Sequence, residues 1–229
     1  MNWLWSNLDL VGELMLVHLA LSVPAIILSF VVSVPIGWLA HRYRWSRGVL
    51  LSLCALLYAV PSLALFIALP PITGLSLRSP LNLVIALTLY GVAVLVRTAA
   101  DAFDSVEPDV RQSATAVGYS VTGRFWGVEL PLAGPVLIAG LRVVIVSTVS
   151  LVTVGAVIGV PSLGSLFTDG FQRNIQAEII TGIVATIALA LALDWAAVLI
   201  GRLLMPWSRP NVATSRAQST TLVKQADVA

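Results

Sequence analysis

The sequence predicts an all-α, polytopic membrane bundle of five transmembrane helices, with the N-terminus outside and the C-terminus inside. Three observations predict it. The 229-residue chain is 58% hydrophobic and only 10% charged, with a mean hydropathy of +0.95, whereas a soluble domain carries about 25% charged residues. Five apolar stretches approach or exceed the roughly 20 residues that cross a hydrocarbon core about 30 Å thick. Basic residues gather on one side of those stretches. Length and composition suggest one membrane domain over residues 1–207. The single cysteine, Cys54, excludes an internal disulfide, and two histidines, His18 and His41, are too few for a histidine-rich metal site.

The first stretch, residues 14–40, carries no formal charge. Asp9 and Glu13 precede it, as suits an exported N-terminus. It lacks a basic leader region and its apolar run is long, so it reads as retained rather than cleaved. Residues 49–71 form the second stretch, also uncharged, and residues 80–96 the third. The fourth, residues 131 to about 159, holds Arg142; the fifth, residues 178–205, holds Asp194 and Arg202. Ten Lys and Arg residues fall between stretches one and two, between three and four, or from Arg202 at the end of stretch five onward; only Arg78 and Arg173 lie in the alternate loops. Cytoplasmic loops carry the basic excess, which sets the orientation.

Pro24, Pro35 and Pro61 lie inside apolar runs. Each would cost about 3 kcal/mol in a soluble helix, but neighbouring membrane helices can satisfy the freed carbonyls. Packed kinks and transport hinges both fit. Residues 155–170, GAVIGVPSLGSLFTDG, cannot continue a regular helix and predict a short loop or broken helix beside a pathway. Pro61, Ser62, Gly155 and Gly159 are the pathway candidates. Residues 208–229 are polar, lack apolar periodicity and predict a disordered cytoplasmic tail.

The loop over residues 101–130 concentrates charge: Asp101, Asp104, Glu107, Asp109, Arg111, Arg124 and Glu129. Pro108 suits a first helical position, Asp109 complements the helix dipole and Gly118 suits a C-terminal stop, which predicts a helix over 108–117. Thr122 is placed to cap a second short helix carrying Phe125, Trp126 and Val128, which Pro131 ends before opening span four. Such a helical hairpin either lies on lipid headgroups or docks a soluble partner.

Within it, Gln112-Ser113-Ala114, three residues, Gly118, nine residues and Val128-Glu129-Leu130-Pro131 resemble the EAA loop of ABC-importer permeases, whose pattern is Glu-Ala-Ala, three residues, Gly, nine residues, Ile-x-Leu-Pro. The spacing matches throughout. Gln112 stands for Glu, Ser113 for the first Ala and Val128 for Ile. Residues 59–74, 128–142 and 154–170 are similar to the osmoprotectant subfamily, which imports glycine betaine, choline or carnitine; related amino-acid permeases share some of these features.

The resemblance implies the transmembrane domain of an ABC type I importer in a prokaryotic inner membrane. It implies a second permease subunit, identical or homologous, two ATPase subunits and an extracytoplasmic substrate-binding protein. Gln112, Ser113, Ala114, Gly118, Tyr119, Phe125, Val128, Leu130 and Pro131 would then form the ATPase-docking loop. Apart from that resemblance, the chain lacks a Gly-x-x-x-x-Gly-Lys-Ser/Thr loop and its one lysine is Lys224, so it cannot cradle ATP by that motif. No catalytic residues, bound cofactor, metal or nucleic-acid partner is expected; ATP and Mg would serve the partner ATPase. Quaternary ammonium groups are held by aromatic cages, and Trp38, Tyr58 and Tyr90 read as isolated aromatics.

Arg142 lies 11 residues past Pro131 and Asp194 lies 12 before Pro206, so both reach about 16–18 Å in from the same membrane edge. Equal depth predicts an ion pair between spans four and five. An ion-coupled secondary transporter is a rival reading; it calls for internal repeats and several intramembrane carboxylates, which the sequence lacks. An intramembrane Mg²⁺ enzyme using Asp101-x-x-Asp104 is a second rival, without an opposing acidic cluster.

Overall fold

A computed structural model describes residues 2–208 and is helical throughout its regular elements. The predicted disordered tail lies, from residue 209, outside the described residues. Helix α1 (Asn2–Ser6) leads into α2 (Leu8–Arg42), a single helix that passes Pro24 and Pro35 without a break. Helices α3 (Arg44–Ala59), α4 (Ser62–Ala68) and α5 (Pro70–Thr73) follow, then α6 (Pro80–Asp104) and α7 (Pro108–Ala116). The chain continues through α8 (Val121–Arg124), a π-turn (Phe125–Glu129) and α9 (Leu130–Val154). A 3-10 turn (Gly155–Ile158), α10 (Ser165–Gln172) and α11 (Gln176–Leu204) complete the bundle.

Among the described residues four helical runs are long and apolar enough to cross a membrane, and a bent pair of shorter helices makes a fifth candidate. The second stretch is that bent pair: Trp45–Ala59 and Ser62–Thr73 meet at 97°. The proline explains it. Val60, which precedes Pro61, is extended (φ −65°, ψ 130°), because the proline ring excludes the helical conformation one residue earlier. Pro61 thus stands at a full break, ending one helix and preceding another instead of bending a continuous one. The Tyr90 hydroxyl donates to the Val60 carbonyl at the break, which answers the need to satisfy backbone groups at membrane depth.

Helix α6 is the centre of the bundle. Two-thirds of its apolar window (67%) is buried, against 17% for α11, and α2, α3 and α9 all pack on it. Small residues bring the backbones together, as membrane helices need when no hydrophobic effect drives their association. A Cβ on Gly37 would lie 2.4 Å from Ala99 Cβ, and one on Gly91 would lie 2.1 Å from Ser29 Oγ. Phe66 and Leu69 of the broken crossing pack against Leu83 and Leu87 of α6. Leu163 and Leu166, from the irregular 155–170 segment, pack with Leu14, Val149 and Leu189.

Two local expectations give way. The cap of the second loop helix is Ser120, whose hydroxyl accepts from the Gly123 N–H, and not Thr122. Pro131 does not end that helix: the chain is helical from Val121 to Ile158. The Leu130 N–H reaches back five residues to the Phe125 carbonyl. That wider turn relieves the clash a proline ring makes with the carbonyl four residues earlier.

Candidate functional site: the loop between α6 and α9 and the cavity at the broken span

The loop is built on a well-formed helix stop. Gly118 has φ +99°, the left-handed conformation that glycine adopts without a Cβ penalty. The Gly118 N–H donates to the Thr115 carbonyl and the Tyr119 N–H to that of Ala114, the paired bonds of a Schellman motif. The chain reverses there, and the Tyr119 ring lies over Gly123 and Gly127.

Charged side chains fasten this hairpin to the ends of the spans. Glu129, 2% exposed, accepts from the Trp38 indole N–H at 2.8 Å and from Arg124 Nε at 2.7 Å. Arg124 also donates to Thr115 Oγ1 at 2.9 Å, joining α8 to α7. His41 Nδ1 and Asp104 Oδ1 are 2.5 Å apart, and Arg111 Nη1 donates to His41 Nε2 at 2.7 Å. Arg47 bridges Asp101 at 3.0 Å and Asp104 at 2.5 Å. The Asp101-x-x-Asp104 pair is thus engaged by a guanidinium, and no metal-holding cluster occurs among the described residues.

The docking candidates divide by burial. Gln112, Ser113, Gly118 and Tyr119 are exposed, with Val117 (80%) and Trp126 (64%) beside them. Ala114 is buried, and Val128 and Pro131 are half-buried. Phe125 and Leu130 turn inward against Val34, Phe103 and Leu137. The Phe125 ring meets Trp38 at 5.1 Å and Phe103 at 5.8 Å. So the motif has a face toward the bundle and a face away from it.

At the broken span lies a cavity of about 470 Å³. Pro61 and Ser62 line it, with Tyr58, Tyr90, Ser147 and Thr148. Gly155 and Gly159 are not in its walls: Gly155 packs on Leu83 and Gly159, at φ +86°, on Arg78. Tyr58 and Tyr90 are no longer isolated, because the break brings their rings to 6.3 Å at 78°. Their separation of 32 positions gave the sequence no means of pairing them. Farther along α9, Arg142 donates twice to Asp194 of α11, at 2.7 and 2.8 Å. Buried Glu178, beside Arg173 at 4.0 Å, is a further intramembrane-edge acid that the charge pattern did not single out.

A membrane bundle with such a loop between its third and fourth crossings defines the permease subunit of an ABC importer, and residues 31–210 place the chain in the family of binding-protein-dependent transport system inner membrane components. It is a multi-pass inner-membrane protein that works with a separate ATPase and a substrate-binding protein. Among its relatives is the osmoprotectant import permease protein OsmW of Salmonella typhimurium, 31% identical over 85% of this chain and 91% of that one. Another is the glycine betaine/carnitine/choline transport system permease protein OpuCD of Bacillus subtilis, 28% identical over 77% and 76%. The fold matches the MetNI methionine ABC transporter, solved in inward-facing conformations, with a TM-score of 0.76 at 18% identity over 87% of this chain and 98% of that one.

Proposed function

We propose that this chain, paired with a second permease subunit, forms the translocation pathway of an ATP-driven importer for a quaternary ammonium osmoprotectant such as glycine betaine, choline or carnitine. The permease partner is identical or homologous. Two ATPase subunits grip the exposed side of the 101–130 loop from the cytoplasm, and a binding protein delivers solute from outside. The chain performs no catalysis of its own. The observation that carries the ATPase assignment is the two-faced loop: Gln112, Ser113 and Tyr119 are exposed, while Glu129 and Arg111 bond α2, Arg124 holds Glu129, and Arg111 also reaches the Phe103 carbonyl of α6. Force applied to such a loop reaches the spans. The names of the relatives support the solute class.

Affinity purification in mild detergent tests the assembly, with an ATPase and a second permease expected to co-elute. Reconstitution with the binding protein tests the solute. ATPase activity and uptake should rise with glycine betaine, choline or carnitine and stay at the basal level with methionine. Stimulation by an amino acid alone would shift the assignment to an amino-acid importer, and solute uptake without any ATPase subunit would overturn it.

A further inference from the structure

We infer that the cavity at the broken span is a transient binding site for a quaternary ammonium group, with Tyr58 and Tyr90 as its recognition element. The inference rests on the proposed solute class and adds where in the membrane this chain would meet it.

Three features converge on a cation. The rings of Tyr58 and Tyr90 stand nearly perpendicular, at 78° and 6.3 Å between centroids. In this edge-to-face pair Tyr90 is buried and Tyr58 is the exposed ring, and the negative faces of aromatic rings attract alkylammonium groups. The carboxyl end of α3 opens on the same cavity: Tyr58, Ala59 and Val60 are all in its wall. The last carbonyls of a helix lack intrahelical partners and carry the negative end of its dipole. Val60's carbonyl is engaged by Tyr90, while those of Tyr58 and Ala59 terminate the helix. Finally, among the described residues no charged side chain lines the cavity. Nothing repels a monocation, and nothing holds it by full charge. The hydroxyls of Ser62, Ser147 and Thr148 can meet a carboxylate or hydroxyl on the solute's other end.

The site is also placed for passage. Tyr90 is ten residues past Pro80, about 15 Å along α6 and so near mid-membrane. The cavity volume, about 470 Å³, accommodates a small organic solute. Aromatic faces without a carboxylate give weak, reversible binding, which suits a station that must release its occupant. The hydrogen bond from Tyr90 to the break fixes one ring, whereas Tyr58, 57% exposed, presents the free one.

The test uses the complete permease–ATPase complex, without binding protein, in nanodiscs. Saturation-transfer NMR follows the methyl signal of tetramethylammonium, with neutral 3,3-dimethylbutan-1-ol as the isosteric control. Wild type and Tyr58→Phe should give equal tetramethylammonium signals; Tyr58→Trp should match or exceed them; Tyr58→Leu should lose about fivefold to tenfold, the scale of one cation–π contact. The neutral alcohol should give none. Co-elution of the ATPase and an unchanged unfolding midpoint establish that each variant is folded, and Tyr58→Phe and Tyr58→Trp carry the comparison should Tyr58→Leu fail that check. Undiminished signal in Tyr58→Leu, a lost signal in Tyr58→Phe, or equal binding of the alcohol overturns the site. Choline uptake by the reconstituted wild-type importer reports on the solute class separately: uptake with no Tyr58 dependence sinks this site and leaves the proposed function standing. Lack of uptake of any quaternary ammonium solute sinks the proposed function.

Discussion

The buried carboxylate of Glu129 accepts the indole N–H of Trp38, 91 positions earlier, at 2.8 Å. With Arg124 on its other oxygen at 2.7 Å, Glu129 locks the loop hairpin to the first crossing. Removing one member of a buried charged set leaves the others unpaired, which costs about 3 kcal/mol or more. Glu129→Leu should therefore lower thermal stability in detergent by that amount and reduce ATPase co-elution severalfold. Adding Arg124→Leu should recover part of the loss. Equal stability of Glu129→Leu and wild type would show that the lock is idle.

The bidentate contact between Arg142 and Asp194 ties α9 to α11. The Arg142 side chain is 46% exposed on the outside of the single chain, where lipid or a second permease would surround it. Charges at that depth are costly unless paired. Asp194→Leu alone and Arg142→Met alone should each reduce inserted protein severalfold, and the double variant should restore much of it. The readout is membrane-fraction yield and monodisperse elution. Full yield from either single variant would refute a pairing role.

The basic residues predict the orientation, which is directly measurable. In a Cys54→Ser background, Ser113→Cys should react with a membrane-impermeant maleimide only after the cells are opened. Ser76→Cys, in the short exposed segment before α6, should react in intact cells. The reverse pattern would place the loop outside and remove the ATPase from reach.

Gly118 supports the helix stop at φ +99°. Gly118→Ala should strain that turn by about 1 kcal/mol. Because the loop is fastened elsewhere by Arg111 and Arg124, the bundle should stay folded while ATPase co-elution falls. A loss of bundle stability larger than the loss of ATPase would show that the stop matters to the fold rather than to the docking face.

Much of this architecture was legible because lipid imposes a length on its crossings. Apolar runs over 14–40, 80–96, 131–159 and 178–205 needed only counting; α2 and α6 cover the first two, α9 with its 3-10 turn covers the third to Ile158, and α11 covers the last to Leu204. The helix at Pro108 and its stop at Gly118 were legible too, since both signals are local. What stayed hidden was non-local. His41, Arg47, Asp104 and Arg111 form one network, but they lie in four separate elements. The same is true of Tyr58 and Tyr90. Pro61 was visible as a disruption, yet a proline alone does not reveal whether its helix bends or stops; the 97° turn depends on Phe66 and Leu69 finding their places against α6. The π-turn at Phe125–Glu129 has no residue pattern of its own, and Pro131 pointed instead to a gap.

That turn leaves no slack between the loop and the fourth crossing. The run from Val121 to Ile158 is one rod of 38 residues, about 57 Å long at 1.5 Å per residue. A tilt of roughly 10° about its midpoint sweeps each tip through about 5 Å. Were a partner to push on the loop, a displacement at the Trp126 end would be carried along this continuous run toward Gly155.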